Sequence, residues 1–264
     1  MKIEDTTVVV VGGASGLGEG TVRSLASKGA QVAILDLDAV KGEVVADETG
    51  ASFFAADIVS VDSVSDAFDK ISAKYGTPRV LVNCAGIGPA EKAVGDNLEP
   101  NRLDSFRRTI DLNLVGTFNT CCQFASRLAA SKMNGEERGV IINTASVAAY
   151  DGQIGHCGYA SSKAAVIGLT LPLAREFAAH AIRVATIAPG NFLTPMFEQN
   201  LTPEQIAAIG AMTTFPKRLG RPEEFAMMVE SIMLNPMING ETIRIDGCLS
   251  LAGMQLGDAL VRQN

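Results

Sequence analysis

The chain has 264 residues and a mass of 27.6 kDa, with 47% hydrophobic and 19% charged residues. This composition is typical of a folded α/β protein and argues against a disordered one. The formal net charge of -7 argues against a broad nucleic-acid-binding surface, because phosphate contacts need clustered lysine and arginine. We therefore expect no nucleic-acid partner.

Membrane, export and metal functions are also disfavoured. No apolar run approaches the ~20 residues of a spanning helix, so we expect no membrane partner. Only Met1 to Asp5 precede the first strand-like run, which predicts a cytoplasmic protein without a targeting peptide. The cysteines lack a C-x-x-C pair and a metal-ligand spacing, so we expect reduced thiols and no metal; they are Cys84, Cys121, Cys122, Cys157 and Cys248.

The first predicted element is a strand that runs into a glycine-rich turn. Residues 6–11, TTVVVV, form a β-branched run typical of a strand buried on both faces of a parallel sheet. The following GGASGLGEG allows a tight turn, and residues 21–28 continue as a helix. Such a turn favours a pyrophosphate, although the spacing is G-x-x-x-G-x-G and a simple tight turn is the alternative. The predicted phosphate-binding residues are Gly12, Ser15, Gly16, Leu17 and Gly18.

A second predicted strand, residues 31–35, ends at Asp36. A carboxylate at this strand end can accept both ribose hydroxyls of an adenosine and would repel a 2′-phosphate. Residues 13–15 offer no lysine or arginine to hold such a phosphate, so we expect NAD as the cofactor. Capping of a helix over residues 39–48 is the alternative role of Asp36.

The next elements extend the same alternation of strands and helices. Strand 51–55 is followed by Asp57 and Ile58, a pair placed to meet an adenine ring, and by an amphipathic helix over 61–75. Strand 79–82 ends in NCAG, and residues 88–101 are predicted to form an irregular loop. Small residues at a strand's carboxyl end suit the floor beneath a flat ligand. The predicted floor residues are Asn83, Ala85 and Gly86.

The middle of the chain carries the candidate catalytic residues. A long helix is predicted over 102–131, with Asn113 among apolar neighbours at its centre. A fifth strand, 139–143, is followed by Ser146, and a helix over 158–179 contains YASSK. Residues four apart share a helix face, so Tyr159 and Lys163 form a plausible proton-transfer pair. We disfavour a nucleophilic pair of His156 and Cys157, because sequence neighbours usually point in different directions.

The last third completes one doubly wound domain over residues 1–264. Strand 182–187 leads into APGNFLTPM, where Pro189, Gly190 and Thr194 are predicted to contact the cofactor. Residues 191–216 combine prolines with apolar side chains, as expected of a lid over a hydrophobic ligand. A helix with Pro222 in its first turn and a strand over 242–245 close the pattern.

These motifs, in this order along essentially the whole chain, resemble the short-chain dehydrogenase/reductase family. The resemblance implies a Rossmann-type α/β fold with a seven-stranded parallel sheet, usually in a homotetramer. It also implies an active site of Asn113, Ser146, Tyr159 and Lys163. Where the family normally has threonine before the first glycine, this chain has Val11, so we expect a slightly less fixed turn.

A narrower resemblance, to the short-chain 3-hydroxyacyl-CoA dehydrogenases of fatty acid metabolism, is suggested by GVIINTASVAAYDGQIG, TIAPGNFLTPM and FPKRLGRPEEFA. The extra length between Gly88 and Ser105 is similar to that subgroup's insertion. The subgroup includes enzymes for branched substrates and, in some members, for hydroxysteroids. It implies oxidation of a 3-hydroxyacyl-CoA thioester by NAD, with Ser146, Gln153 and Tyr159 at the substrate.

By the same resemblance, Tyr159 would accept the substrate hydroxyl proton and Ser146 would hydrogen-bond the same oxygen. Lys163 would hold the nicotinamide ribose and, with the cationic ring, lower the Tyr159 pKa, while Asn113 would hold a water that links Lys163 to solvent. Two alternatives stay open: an NAD-dependent secondary-alcohol or hydroxysteroid dehydrogenase, and a non-catalytic NAD-sensing or scaffold protein. Candidate ligands for a CoA phosphate are Lys92, Arg102, Arg107, Arg108 and Lys217.

Overall fold

The computed structural model describes residues 1–195 and 201–249. Their strands form a parallel sheet in the order β3-β2-β1-β4-β5-β6-β7. The predicted doubly wound domain with a seven-stranded parallel sheet is confirmed. The strands are β1 (Thr7–Val11), β2 (Gln31–Asp36), β3 (Ser52–Ala55), β4 (Val80–Asn83), β5 (Gly139–Thr144), β6 (Ile182–Pro189) and β7 (Thr242–Ile245).

Helices cover both faces of this sheet. Val9 and Val11 of β1 belong to one buried cluster, whereas Val8 and Val10 belong to the cluster on the opposite face. This division explains why β1 is apolar at every position, since both sides of a central parallel strand are buried. The helices are α1 (Gly16–Ser27), α2 (Ala39–Thr49), α3 (Val61–Tyr75), α4 (Leu103–Ile110), α5 (Thr117–Ala129), α6 (Cys157–Phe177), α7 (Pro203–Gly210) and α8 (Pro222–Leu234).

The sheet order places the site. From β1 the chain proceeds outward through β2 and β3, and it then returns to β4 on the other side of β1. The connections after β1 and β4 therefore diverge to opposite faces, and a crevice opens between them. In open parallel sheets this position, at the carboxyl ends of the strands, is where ligands bind.

The long helix predicted over 102–131 is present as continuous helical structure over 103–129. It is divided into α4 and α5 by a π-helical turn, Asp111–Gly116, which contains Asn113. In a π turn one extra residue enters the helical ladder and changes the direction of the side chains, and such turns are frequent at functional sites. Helical periodicity alone does not report this insertion, because the residues on both sides keep their apolar spacing.

Two further observations concern the predicted absences and the predicted lid. None of the helices in the described part of the chain is long and apolar enough to cross a membrane. Within the same residues, no group of three His, Cys, Asp or Glu side chains could hold a metal ion. The predicted lid, 191–216, includes α7, but residues 196–200 of it lie outside the described residues, as do residues 250–264 of the predicted domain.

Candidate active site

A cavity of about 630 Å³ opens at the carboxyl ends of the strands. Its volume lies in the range of small-molecule and cofactor sites. The sequence-predicted residues that line it are Gly12, Ser15, Gly16, Leu17, Gly18, Asp36, Asp57, Ile58, Ala85, Gly86, Ser146, Gln153, Tyr159, Lys163, Pro189, Gly190 and Thr194. The structure therefore brings these predicted cofactor and substrate residues, though not Asn83, around one space.

The glycine turn between β1 and α1 forms one end of the cavity. Gly12 has a φ of +73°, and a Cβ there would lie 2.6 Å from the backbone nitrogen of Ala85. A Cβ on Gly18 would lie 2.1 Å from the Gly12 carbonyl oxygen, so only glycine permits this close packing. Ser15 precedes α1 without making a side-chain cap bond, and the first N–H groups of the helix remain available to an anion. The turn fits a pyrophosphate.

Asp36 holds the glycine turn from the end of β2. Its carboxylate accepts hydrogen bonds from the backbone nitrogens of Ala14 and Asp38, each at 3.1 Å. The alternative role for Asp36, capping of the next helix, belongs instead to Asp38, which accepts from the Lys41 nitrogen at 3.1 Å. The bond from Ala14 to Asp36 anchors the turn that follows Val11.

Ser146, Tyr159 and Lys163 converge at the other end of the cavity. Ser146 follows β5 and accepts a hydrogen bond from the Ala148 nitrogen at 3.1 Å. Tyr159 lies in the first turn of α6, and the Lys163 ammonium one turn later is 5.8 Å from the centre of its ring. The Lys163 Nζ also donates to the Thr144 carbonyl oxygen at 2.8 Å. The predicted sharing of a helix face by Tyr159 and Lys163 is present.

Burial shifts both titratable groups toward their neutral forms. It lowers the pKa of Lys163 to about 8, although the nearby Cys84 acts in the opposite direction. It raises the pKa of Tyr159, and a hydrogen bond with Ser146 opposes that rise. The lowering of the Tyr159 pKa expected from Lys163 and a bound cationic ring therefore has to start from a raised value.

Asn113 is fully buried in the π turn and does not line the cavity. Its Nδ2 donates to the Ile87 carbonyl at 2.8 Å and to Ser162 Oγ at 2.9 Å, while its Oδ1 accepts from the Ile87 nitrogen at 2.8 Å. The side chain thus joins the loop after β4 to α6. In this geometry Asn113 positions the backbone around Gly86, beside the Lys163 ammonium.

Asn83 is a predicted cofactor residue that the structure does not bring to the cavity. Its Nδ2 donates to Asn143 Oδ1 at 2.9 Å, and its Oδ1 accepts from Thr120 Oγ1 at 2.9 Å. Successive side chains of a strand point to opposite faces, so the end of β4 directs Asn83 into the layer between sheet and α5. The side chain therefore joins β4, β5 and α5 in the core.

Sequence reasoning missed His156. Its ring lines the cavity, with its centre 6.3 Å from the centre of the Tyr159 ring, whereas the neighbouring Cys157 is exposed. The two residues do point in different directions, as predicted, but the histidine points toward the site. The available signal was its position three residues before Tyr159, at the start of the same helix. Apolar wall residues were also missed: Leu112, Val147, Ala148, Phe192 and Leu201.

The basic residues proposed to hold a CoA phosphate do not line the cavity. Lys92 donates to Asp96 at 2.6 Å, and Arg107 lies 4.0 Å from Asp104. Such contacts between solvated side chains are weak, so they do not prevent either cation from meeting a phosphate.

Comparison with known proteins agrees with this geometry. Residues 6–205 match the family model of the short chain dehydrogenases. The chain belongs to this family. It is 46% identical to the 3-hydroxyacyl-CoA dehydrogenase type-2 of Drosophila melanogaster, over 94% of this chain and 99% of that protein. The protein of that name from Homo sapiens is 42% identical, over 95% of this chain and 97% of its own length.

A solved structure agrees with these relatives. The crystal structure of a 3-hydroxyacyl-CoA dehydrogenase type-2 from Mycobacterium avium superposes with a TM-score of 0.90 at 41% identity, covering 96% of this chain and all of that one. As a short-chain dehydrogenase with a Rossmann-type sheet, the protein is an oxidoreductase that uses a nicotinamide dinucleotide and a small-molecule substrate. The non-catalytic alternative is not favoured.

Proposed function

We propose that the protein is an NAD-dependent dehydrogenase that interconverts 3-hydroxyacyl-CoA thioesters, branched ones included, with 3-oxoacyl-CoA thioesters. The observation that carries the proposal is the convergence of Ser146, Tyr159 and Lys163 in a cavity of a chain 46% identical to a 3-hydroxyacyl-CoA dehydrogenase type-2. Gln153 lines the same cavity and supports a substrate contact there. The alternative, a secondary-alcohol or hydroxysteroid dehydrogenase, serves as the control in the assay.

In the proposed mechanism, a nicotinamide cofactor held in this cavity would supply the hydride acceptor for oxidation and the hydride donor for reduction. The Tyr159 oxygen takes the proton of the substrate hydroxyl, and Ser146 donates a hydrogen bond to the same substrate oxygen. Lys163, held by the Thr144 carbonyl at 2.8 Å, binds the cofactor ribose and provides positive charge beside the phenol. Asn113 keeps the loop after β4 in place and links Lys163 toward solvent through a water.

We also propose NAD rather than NADP, on the ground that Asp36 lines the cavity next to the glycine turn. A carboxylate there can accept the ribose hydroxyls and repels a 2′-phosphate. Asp36→Asn removes the charge and keeps an oxygen that can accept from Ala14. The ratio of kcat/KM with NAD to that with NADP should fall about tenfold, consistent with loss of charge-assisted hydrogen bonds. An unchanged ratio would show that cofactor choice lies elsewhere.

The proposed lid and assembly extend this reading. Asn191, Phe192 and Thr194 line the cavity from the start of segment 191–216, which we propose closes over the substrate. Leu103 of α4, Val115 of the π turn and Phe118 of α5 expose apolar surface that pairing with another copy would bury. We propose a homotetramer, to be tested by light scattering during gel filtration. Cytoplasmic location stays a prediction, as does a role in fatty acid metabolism.

The substrate is tested by following NAD reduction across a panel. The panel contains straight and 2-methyl-branched 3-hydroxyacyl-CoA thioesters, simple secondary alcohols and a hydroxysteroid. We expect kcat/KM to be at least about tenfold higher for a thioester than for any CoA-free alcohol, since the latter lack the binding energy of the remote group. Selectivity for a CoA-free alcohol would overturn the proposal.

A further inference from the structure

The cavity wall beside Tyr159 carries an imidazole that the mechanism above does not use. His156 lines the cavity, and its ring is inclined at 70° to the Tyr159 ring with the two centres 6.3 Å apart. The side chain is half-buried and makes no hydrogen bond within residues 1–195 and 201–249. A polar ring in such a wall, next to the reacting phenol, can take a hydrogen-bond partner from inside the cavity.

The position of this ring is fixed by its backbone. The His156 nitrogen donates to the Gln153 carbonyl at 3.1 Å, and its own carbonyl accepts from Ala160 at 2.8 Å. The preceding Gly155 carbonyl accepts from the Glu91 nitrogen at 2.6 Å, which connects this loop to the insertion after β4. The backbone groups around His156 therefore have partners, whereas its side chain has no hydrogen-bond partner among the described residues.

The environment of the ring determines which nitrogen carries the proton. The Nδ1 of His156 is enclosed by protein and has no hydrogen-bond partner in the described part of the chain, whereas Nε2 is not enclosed in this way. A neutral imidazole has one N–H, and an enclosed donor without an acceptor is strongly unfavourable. The proton therefore belongs on Nε2, which makes His156 a hydrogen-bond donor toward the cavity.

We infer that His156 donates this hydrogen bond to the thioester carbonyl oxygen of the substrate and thereby selects thioesters over simple alcohols and ketones. The inference rests on the proposed function, which places the C3 oxygen between Ser146 and Tyr159. The thioester carbonyl carbon lies two bonds from C3. Its oxygen therefore needs a donor on an adjoining wall of the cavity. His156 and Tyr159 are three residues apart at the start of α6, so their side chains are neighbours.

The test removes the carbonyl from the ligand and the N–H from the protein in turn. The substrates are acetoacetyl-CoA and S-(3-oxobutyl)-CoA, a thioether in which a methylene replaces the thioester carbonyl, both assayed for reduction with NADH. His156→Phe keeps a ring and loses the donor, whereas His156→Gln keeps an N–H donor at similar reach. The ratio of kcat/KM for the two ketones is compared within each variant, so a lower amount of folded enzyme cancels.

Competitive inhibition supplies a second ratio that needs no turnover. Butyryl-CoA keeps the thioester carbonyl without a 3-oxygen, and S-butyl-CoA lacks both. Inhibition constants for this pair are measured with the wild type and with both variants in the presence of NADH. These inhibition constants test the contact between His156 and the thioester carbonyl even where the thioether ketone is reduced slowly.

His156→Phe should lower the preference for acetoacetyl-CoA over the thioether about tenfold, mainly through KM, because the carbonyl loses its donor. The inhibitor ratio should fall in parallel, and His156→Gln should stay within about threefold of the wild type. Equal losses on both members of each pair, or no loss, would overturn the inference. If instead the wild type prefers simple ketones to acetoacetyl-CoA, the proposed function itself fails.

Discussion

A cation is buried at each end of the parallel strands, which we call the amino edge and the carboxyl edge. The two cations differ in how far hydrogen bonds and counter-charges compensate them. At the amino edge Arg183 of β6 is 6% exposed, and its Nε donates to Glu137 at 2.7 Å. Its Nη1 also donates to the carbonyl oxygens of Ile232 at 2.9 Å and Ile238 at 2.8 Å. At the carboxyl edge Lys163 is 4% exposed, and its hydrogen bond within the described residues is the one to Thr144.

The two cations differ in how far their buried charge is compensated. A buried charge is tolerated when a counter-charge and hydrogen bonds replace its hydration, as they do for Arg183. Lys163 has no carboxylate partner among its described contacts, and burial lowers its pKa to about 8. The amino edge therefore uses its cation to hold the fold together, whereas the carboxyl edge keeps one incompletely compensated beside Tyr159. Incomplete compensation is what a reactive site needs, because the missing partners are supplied by ligands.

The largest effect should come from removing the reacting group at the carboxyl edge. Tyr159→Phe deletes the proposed proton acceptor, so kcat should fall about 10³-fold, within the range found for general acid–base groups. Binding of NADH, followed by fluorescence titration, should change by less than about threefold, because the glycine turn, Asp36 and Lys163 still hold the cofactor.

Tyr75→Phe is the matched control, since Tyr75 lies at the end of α3 and its hydroxyl contacts Ser52 at 2.5 Å. That variant should keep the wild-type kcat. Near-normal turnover of Tyr159→Phe would mean that another group accepts the substrate proton. The incomplete compensation at the carboxyl edge would then have no demonstrated role in catalysis.

The next largest effect tests the amino edge. Glu137→Gln leaves Arg183 without its counter-charge, so the free energy of unfolding should fall by about 3 kcal/mol, as found when one partner of a buried pair is removed. Urea denaturation at pH 7 measures this, and kcat per folded molecule should be unchanged because the cavity lies at the opposite edge.

Glu136→Gln removes the same charge one residue earlier at an exposed position, and it should change stability by less than about 0.5 kcal/mol. A Glu137→Gln protein as stable as this control would show that Arg183 is satisfied by backbone carbonyls alone. The amino edge would then need no carboxylate.

The contrast between the amino and carboxyl edges also shows which features could be predicted from the sequence and which could not. The strands and the glycine turn were foreseeable because they are local, as in the β-branched run of β1 and the G-x-x-x-G-x-G spacing. The pairing of Tyr159 with Lys163 follows from helix geometry for the same reason. The Glu137–Arg183 pair joins residues that are distant in sequence, and nothing in either neighbourhood identifies its partner.

The directions of side chains at the ends of helices and strands were also predicted wrongly. Asn83 was expected at the cofactor, but the alternation of β4 turns it into the core, where it bonds Asn143 and Thr120. His156 was set aside as a sequence neighbour of Cys157, yet the start of α6 turns its ring toward the cavity. One residue of register decides such cases, and helix and strand periods locate ends only to within a few residues.

The smallest predicted effect measures the incomplete compensation of Lys163 directly. The folded-state pKa of about 8 lies below the ordinary value of 10.5, so the folded protein binds this proton less tightly than the unfolded chain does. The penalty is therefore fully present below about pH 8 and disappears as the pH rises through 10.5. Lys163→Met removes the titrating group, so the wild type should gain stability relative to this variant as the pH increases.

Between pH 7.5 and pH 10 this relative gain should be about 2 kcal/mol, measured as the difference between the two proteins' free energies of unfolding in urea. Taking the difference cancels all other titrations and the lost bond to Thr144, which is the same at both pH values. Lys132→Met, at an exposed position, should show no such dependence. If the difference for Lys163→Met is also independent of pH, then Lys163 is as well compensated as Arg183, and the two edges do not differ in the way their geometry indicates.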